Sequence, residues 1–242
     1  MDEIQFSKPA VAILRYFYEK ANDIHVIVAG SLLETIIDVR RISFPVGRVE
    51  YMAIRPCSFV EFLYGIGEHF DAELIKNQQI RSSVHARVIN YFHDYIVVGG
   101  MPAAISQYAK KRDVLSVKKV YQTLLQSYND DVEKYTKNAN TVQVIRSILE
   151  VGWGEAGREI SYEKFGGTHY SSREMSLAFQ TIQKAMLLEL AYPTSQTQMP
   201  LSQNFRKHPK LLWLDTGLVN YFSGIQKEVF FTKNITDVWR GR

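Results

Sequence analysis

The chain has 242 residues, 46% hydrophobic and 22% charged, an ordinary globular composition that excludes a disordered or fibrous polymer and leaves room for two modest domains. A net charge of +4 and a pI near 9.0 permit nucleic-acid contact without demanding it, because the basic residues come as short clusters (Arg40-Arg41, Lys110-Lys111-Arg112, Lys118-Lys119, and Arg206-Lys207-His208 with Lys210) with no interleaved aromatics. A single cysteine, Cys57, excludes an internal disulfide and a Cys-rich metal site; with no apolar run near the roughly 18 residues of a membrane span and no secretion-signal character at the acidic start, a cytoplasmic protein without membrane contact is expected.

In chain order, Asp2-Glu3 comes first. Residues 9–21 then carry a helical stripe of Val11, Leu14, Tyr18 and Ala21. Ile24 to Ala29 is apolar except for His25, the pattern of a strand buried on both faces of a parallel sheet. Ser31 to Asp38 reads as a short helix and Val49 to Ile54 as the next strand, stopped by Pro56. Strand, helix, strand is an α/β arrangement.

From Ser58 the character becomes helical. Ser58-Phe59-Val60-Glu61 is a capping-box start, Arg81 to Val98 is a long amphipathic helix stopped by Gly99-Gly100, and Pro102 can open the next helix. Val114 to about Lys137 reads as one long helix, and Lys137 to Asn140 as a linker. Beyond it come a helix over Val142 to Val151, a short one over Ser161 to Phe165, and a second capping box, Ser171-Ser172-Arg173-Glu174, with Tyr170 and Met175 placed as a hydrophobic staple and a helix running to about Leu190. Strand-like runs at Leu188 to Pro193 and Leu211 to Leu214 complete the order of a winged helix.

The residues that carry chemistry are few. In nucleotide hydrolases an Asp at the end of a core strand holds magnesium, the following Glu polarises the attacking water, and a polar residue on the next strand touches the γ-phosphate. Asp2, Glu3 and Ser31 come in that order, separated by one helix and one apolar strand. By itself the pair Asp2-Glu3 also reads as solvated charge near a helix dipole. Arg48 is either a guanidinium projecting into a neighbouring subunit's phosphate site or a surface arginine paired with Glu50. The glycine-rich cradle GxxxxGK[ST] does not occur: Gly65-Ile66-Gly67 and Gly99-Gly100 lack a following Lys-Ser or Lys-Thr, and Gly166-Gly167-Thr168 lacks the lysine. The triplet Asp215-Thr216-Gly217 matches that of aspartic proteases, or else Asp215 caps a helix and Gly217 permits a tight turn. Cys57 reads as a small apolar residue.

Met1 to Ile54 resembles the distal half of an AAA-type ATPase of the prokaryotic family that carries a C-terminal domain of unknown function. The matching segments are Asp2-Glu3-Ile4-Gln5, Val28-Ala29-Gly30-Ser31-Leu32-Leu33, Gly47-Arg48-Val49 and Pro56-Cys57-Ser58-Phe59-Val60-Glu61-Phe62. Gly99-Gly100-Met101-Pro102 and Pro209-Lys210 with Leu214-Asp215-Thr216-Gly217-Leu218 follow in the family's order. The resemblance implies that Asp2 and Glu3 are the acidic Walker B pair, with Asp2 contacting the cofactor and its metal and Glu3 catalytic. Ser31 becomes the sensor and Arg48 the arginine finger. ATP and Mg are the implied cofactors of the parent family, none binding tightly to this chain.

The expected fold is α+β and mainly helical: a partial AAA-type α/β core over 1–57, a helical lid region over 58–138, and a winged-helix domain with a C-terminal tail over 139–242. Without the glycine-rich loop, and without the restriction-nuclease-like fold that family members usually carry next, the chain reads as a shortened middle of such a protein, inactive alone. The alternative is a non-catalytic winged-helix module that binds a partner protein or DNA. A homo-oligomer is expected because the strands that would flank Ile24 to Ala29 are missing. DNA binding is expected to be weak and nonspecific, since the Ser172 to Leu190 helix offers only Arg173, Gln180, Gln183 and Lys184 outward, with Met175, Phe179, Ile182 and Met186 facing the core.

Overall fold

The structure, a computed structural model, describes residues 1–30 and 47–224. Among the described residues it is mainly helical, with one small two-stranded antiparallel sheet. The helices are α1 (Lys8–Lys20), α2 (Phe59–Gly65), α3 (His69–Lys76), α4 (Ser82–Val98), α5 (Pro102–Lys111), α6 (Lys118–Tyr135), α7 (Ala139–Val151), α8 (Ser172–Lys184) and α9 (Thr216–Phe222). The sheet pairs β1 (Leu188–Ala191) with β2 (Lys210–Trp213). No described helix is long and apolar enough to cross a membrane.

The chain forms two compact units that each draw on separated stretches of sequence. One comprises Met1–Ile54, Asp130–Glu150 and Arg158–Leu212. In it, Val11 and Leu14 of α1 bury with Ile4, and Val26 and Val28 pack against them half-buried. The other comprises Arg55–Asn129, Val151–Gly157 and Trp213–Arg242. Its core gathers Phe62, Leu63, Val97, Val98, Ile105 and Tyr121. Phe62 stacks on Tyr108 at a ring-centroid distance of 5.9 Å and meets Tyr95 tilted at 5.4 Å, and Trp153 stacks on Trp213 at 3.9 Å. Aromatic pairs of this kind add about 0.5–1.5 kcal/mol each beyond their burial.

Helix starts follow the local chemistry. Ser58 accepts from the Glu61 N–H while Glu61 accepts from the Ser58 N–H and hydroxyl, and Ser171 and Glu174 repeat the arrangement. Each reciprocal cap is worth about 1 kcal/mol over alanine. The bidentate pair of Arg87 with buried Asp71, at 2.6 and 2.9 Å, lies within the second unit.

Several expected elements differ. Ile24 to Ala29 is extended but not buried on both faces. Val26 and Val28 turn inward, while Ile27 is 84% exposed, because among the described residues only Met1 to Ile4 lies along it. Val49 to Ile54 forms no strand, and Met52 and Ile54 are each 90% exposed. Alternation marks which face could be buried, and a strand exists only where a second backbone completes its ladder. Val114 to Lys137 divides into a 3-10 turn at Val114–Val117, capped by Asp113, and α6. The short helix expected over Ser161 to Phe165 is instead a 3-10 turn at Phe165–Gly167. α8 stops at Lys184, where Met186 adopts a φ of 57°, so Met186 is exposed rather than in the core. Such a break by a non-glycine residue has no sequence signal. The helix expected at Ser31 to Asp38 lies outside the described residues.

Candidate functional site

The acidic pair stands at the end of a short parallel pairing. The Met1 ammonium donates to the Ile27 carbonyl at 2.9 Å and the Ala29 N–H donates to the Met1 carbonyl at 2.9 Å. One residue bonded to two that flank a third is the signature of strands running the same way. The Ile4 N–H then reaches the Ala29 carbonyl at 3.2 Å. Asp2 and Glu3 are thereby held beside Ala29–Gly30, at the carboxyl end of both stretches, where open α/β sheets present ligand-contacting groups. Both are exposed. Asp2 Oδ1 accepts the Glu3 N–H at 3.0 Å, and Glu3 itself sits in the left-handed region at φ 50°, ψ 40°. That conformation costs a non-glycine residue about 1–2 kcal/mol, and such outliers concentrate at functional positions.

A cation lies within electrostatic range of Glu3. Lys134 of α6 is ion-paired with Asp131 at 2.5 Å, and its pKa is raised chiefly by that hydrogen bond, with the Glu3 charge adding to it. Arg48 is not paired with Glu50 as one reading expected. Its Nε donates to Glu19 Oε1 at 2.9 Å, an oxygen that also accepts from Arg15 Nε at 2.8 Å, so the guanidinium rests on α1. The Arg15 hydrogen bond, ahead of the charges of Arg15 and Arg48, holds the Glu19 carboxyl below its ordinary range. Ser31 lies outside the described residues.

No group of three His, Cys, Asp or Glu side chains among the described residues could hold a metal ion. That suits magnesium only in the form in which one or two carboxylates and the nucleotide's own phosphates share it with water. Asp2, a hard and exposed oxygen donor, fits such a role.

The second unit contains a buried polar node that links two motifs 115 residues apart. α4 ends at Gly99, with φ 78°, and the next N–H, that of Gly100, donates to Asp215 Oδ2 at 2.6 Å. Asp215 Oδ1 accepts from the Leu218 N–H at 2.9 Å as the N-cap of α9. The Tyr121 hydroxyl donates to the Val98 carbonyl, the Cys57 N–H to Gly100 at 2.7 Å, and the Tyr95 hydroxyl to the Cys57 carbonyl at 2.9 Å. Asp215 is 4% exposed. Burial pushes its carboxyl up, opposed by the N–H groups of Gly100, Leu218 and Gly217 and by Tyr121. A carboxylate so enclosed cannot share a proton with a partner over substrate, so the helix-cap reading of Asp215 holds and the protease reading falls. Gly217 differs from its expected role. It is helical rather than a tight turn, and a Cβ there would come within 2.7 Å of the Val98 carbonyl carbon, so glycine is required by close approach. Gly100 is constrained likewise: a Cβ would meet the Cys57 nitrogen at 3.0 Å.

Sequence reasoning singled out each of these motifs but not their meeting. Nothing in the sequence marks it, because the burial of Asp215 shows only in the fold. Cys57, expected as a small buried apolar residue, is only half-buried, and burial and the charge of Glu61 raise its thiol above its ordinary value.

Two family comparisons match this chain. Residues 1–63 match an AAA domain, the stretch that contains Asp2, Glu3 and Arg48. No curated protein and no solved structure matches it. Residues 89–229 match the domain of unknown function DUF8612, which takes in Gly99-Gly100, Tyr121 and the Asp215 cap, and the chain belongs to that family.

Proposed function

We propose that residues 1–63 are the acidic half of an AAA-type ATP-hydrolysing unit, and that the DUF8612 region responds to its state. The observation that carries this is the parallel pairing of Met1 with Val28, within a stretch that matches an AAA domain. In this reading Asp2 is the residue that would hold magnesium. When bound, the ion neutralises charge on the phosphates. Glu3 accepts a hydrogen bond from the attacking water and orients it, its unusual backbone conformation fixing where the carboxylate points. Ser31 contacts the γ-phosphate. Arg48 leaves Glu19 to meet the phosphates of a neighbouring copy, so the working form is a homo-oligomer. The phosphate-wrapping amides and lysine have no counterpart in this sequence, so turnover needs a P-loop segment from elsewhere.

The decisive experiment joins a P-loop-bearing α/β segment of another AAA-domain protein ahead of Met1 and measures phosphate release. Mg-dependent turnover that Glu3→Gln removes supports the reading. Turnover indifferent to Glu3→Gln and Asp2→Ala contradicts it.

A second reading concerns residues 139–213, which we propose form a winged helix that docks a protein. α7 and α8 precede the β1–β2 hairpin, and Glu159 makes an isolated antiparallel bridge to Lys210 at its edge. The outward side of α8 carries Arg173, Gln180, Gln183 and Lys184, and two cations are too few for strong phosphate contact. DNA binding in this reading is weak and nonspecific. Titration with duplex DNA checks it: tight binding lost on Arg173→Ala overturns the docking assignment.

A further inference from the structure

The loop that joins β1 to β2 is ordered by its own hydrogen bonds and chemically one-sided. Asn204 closes it, its N–H donating to the Pro193 carbonyl at 2.8 Å and its Nδ2 to Ser195 Oγ at 3.0 Å. Asn204 Oδ1 accepts the Arg206 N–H at 3.1 Å, and its carbonyl accepts the Lys207 N–H at 3.1 Å. Phe205 is 71% exposed yet braced edge-on against Tyr192 at 4.9 Å. The Tyr192 hydroxyl is hydrogen-bonded to that of Tyr162 at 2.7 Å. Residues 195–202 border an open cleft of about 530 Å³, with Gln196, Gln198, Met199 and Ser202 in its wall.

The charge of the loop has one sign. Between Glu189 and Asp215 the sequence contains no acidic residue, while Arg206 and Lys207 of the loop are exposed, as is Lys210 at the start of β2, where its backbone bridges to Glu159. None of the three forms an ion pair among the described residues. In the same loop Met199, 83% exposed, Leu201 and Phe205 are exposed apolar side chains.

We propose that this loop is the docking site for an extended acidic peptide segment carrying an apolar anchor residue. The proposal deepens the protein-docking reading of residues 139–213 and rests on it. Three cations within five residues, none ion-paired among the described residues, call for a short run of carboxylates. Ser202 Oγ donates to Gln196 Oε1 at 3.0 Å, steadying an amide that, with the amide of Gln198, can meet the donors and acceptors of an extended backbone, and the exposed Met199, Leu201 and Phe205 offer apolar surface for the anchor. Duplex nucleic acid uses the cations but leaves Met199, Leu201 and Phe205 in water. A lipid surface accepts those three but strips water from the cleft's amides without replacing their hydrogen bonds.

The test is fluorescence anisotropy on the full chain, with a labelled peptide of about twelve residues, rich in Asp and Glu around a central Leu-Phe pair. The same peptide with Asn and Gln in place of the acids, a single-stranded and a duplex oligonucleotide, and phosphatidylserine vesicles serve as comparisons. The acidic peptide is expected to bind best and to weaken as salt rises. Arg206→Ala combined with Lys207→Ala should weaken it about tenfold or more, and Phe205→Ala about tenfold, with circular dichroism unchanged. Binding that survives these variants but falls on Arg173→Ala with Gln180→Ala overturns the loop assignment and leaves protein docking through α8 standing. No binding of the acidic peptide, or tighter binding of the oligonucleotides or vesicles through the same loop residues, overturns the proposal.

Discussion

Replacing Asp215 by alanine removes the acceptor on which two distant motifs converge. The substitution deletes the N-cap of α9, a loss of about 0.5–2 kcal/mol. It also leaves the Gly100 N–H, buried and 2.6 Å from the lost oxygen, without a partner, which costs about 1–3 kcal/mol. Against these, the buried carboxylate no longer needs to be desolvated, and its raised pKa marks that relief as real. The gross loss is about 1.5–5 kcal/mol, and with that relief the net expectation is a destabilisation of about 1–4 kcal/mol, a sizeable part of the roughly 5–15 kcal/mol that holds a domain folded. Asp215→Asn keeps one oxygen for one of the two N–H groups, so it should fall between wild type and alanine. The assay is urea unfolding followed by tryptophan fluorescence, since the stacked Trp153 and Trp213 belong to the same compact unit as Asp215. Thr216→Ala, at an exposed neighbouring position, is the control and should stay within about 0.5 kcal/mol. If Asp215→Ala unfolds at the same urea concentration as this control, the node does not support the unit and the reasoning fails.

Gly217→Ala should destabilise by about 1–3 kcal/mol through overpacking against Val98 and Tyr121, read as a lower unfolding midpoint; an unchanged midpoint contradicts the close approach. The Glu174 carboxyl is held at about 2, first by the Ser171 hydroxyl and then by the Ser171 N–H and Asn140. Because the folded value is depressed, its contribution is present above the ordinary glutamate value and lost as pH falls toward about 2. Glu174→Gln should therefore lower stability at pH 7 yet flatten the acid side of the profile, and an unaltered profile would disprove the linkage. The chain by itself should release no phosphate from ATP above background, and turnover abolished by Glu3→Gln would reveal a phosphate cradle of another kind. Light scattering should find a dimer or larger species that Met52→Lys with Ile54→Lys shifts toward monomer, since these apolar side chains lie 90% exposed on a stretch whose backbone joins no strand among the described residues; a clean monomer at high concentration counts against it.

Local chemistry made the helices readable. Both capping boxes, the Gly99 stop, the Pro102 start and the Asp215 cap are decided within four residues of sequence, and each appears as expected. What depends on a distant partner was not readable. Ile24 to Ala29 and Val49 to Ile54 have the composition of buried strands, but burial depends on what lies alongside, and Ile27, Met52 and Ile54 remain in solvent. Arg48 illustrates the same limit, because its partner Glu19 is 29 residues away and indistinguishable in sequence from Glu50. Gly217 was recognisable as special but not for the right reason, since its constraint comes from the Val98 carbonyl rather than its own backbone angle. The acidic pair was legible from order alone, whereas the left-handed conformation of Glu3 was not.

The most direct test of the account separates binding from chemistry at Glu3. In the chain joined to a P-loop segment, equilibrium affinity for Mg-ATP and single-turnover hydrolysis are measured for wild type and Glu3→Gln. A water-orienting carboxylate predicts that affinity stays within a few-fold while the hydrolysis rate falls about 10²–10⁴-fold. A variant that hydrolyses at the wild-type rate contradicts the assignment of residues 1–63 as the acidic half of an ATP-hydrolysing unit.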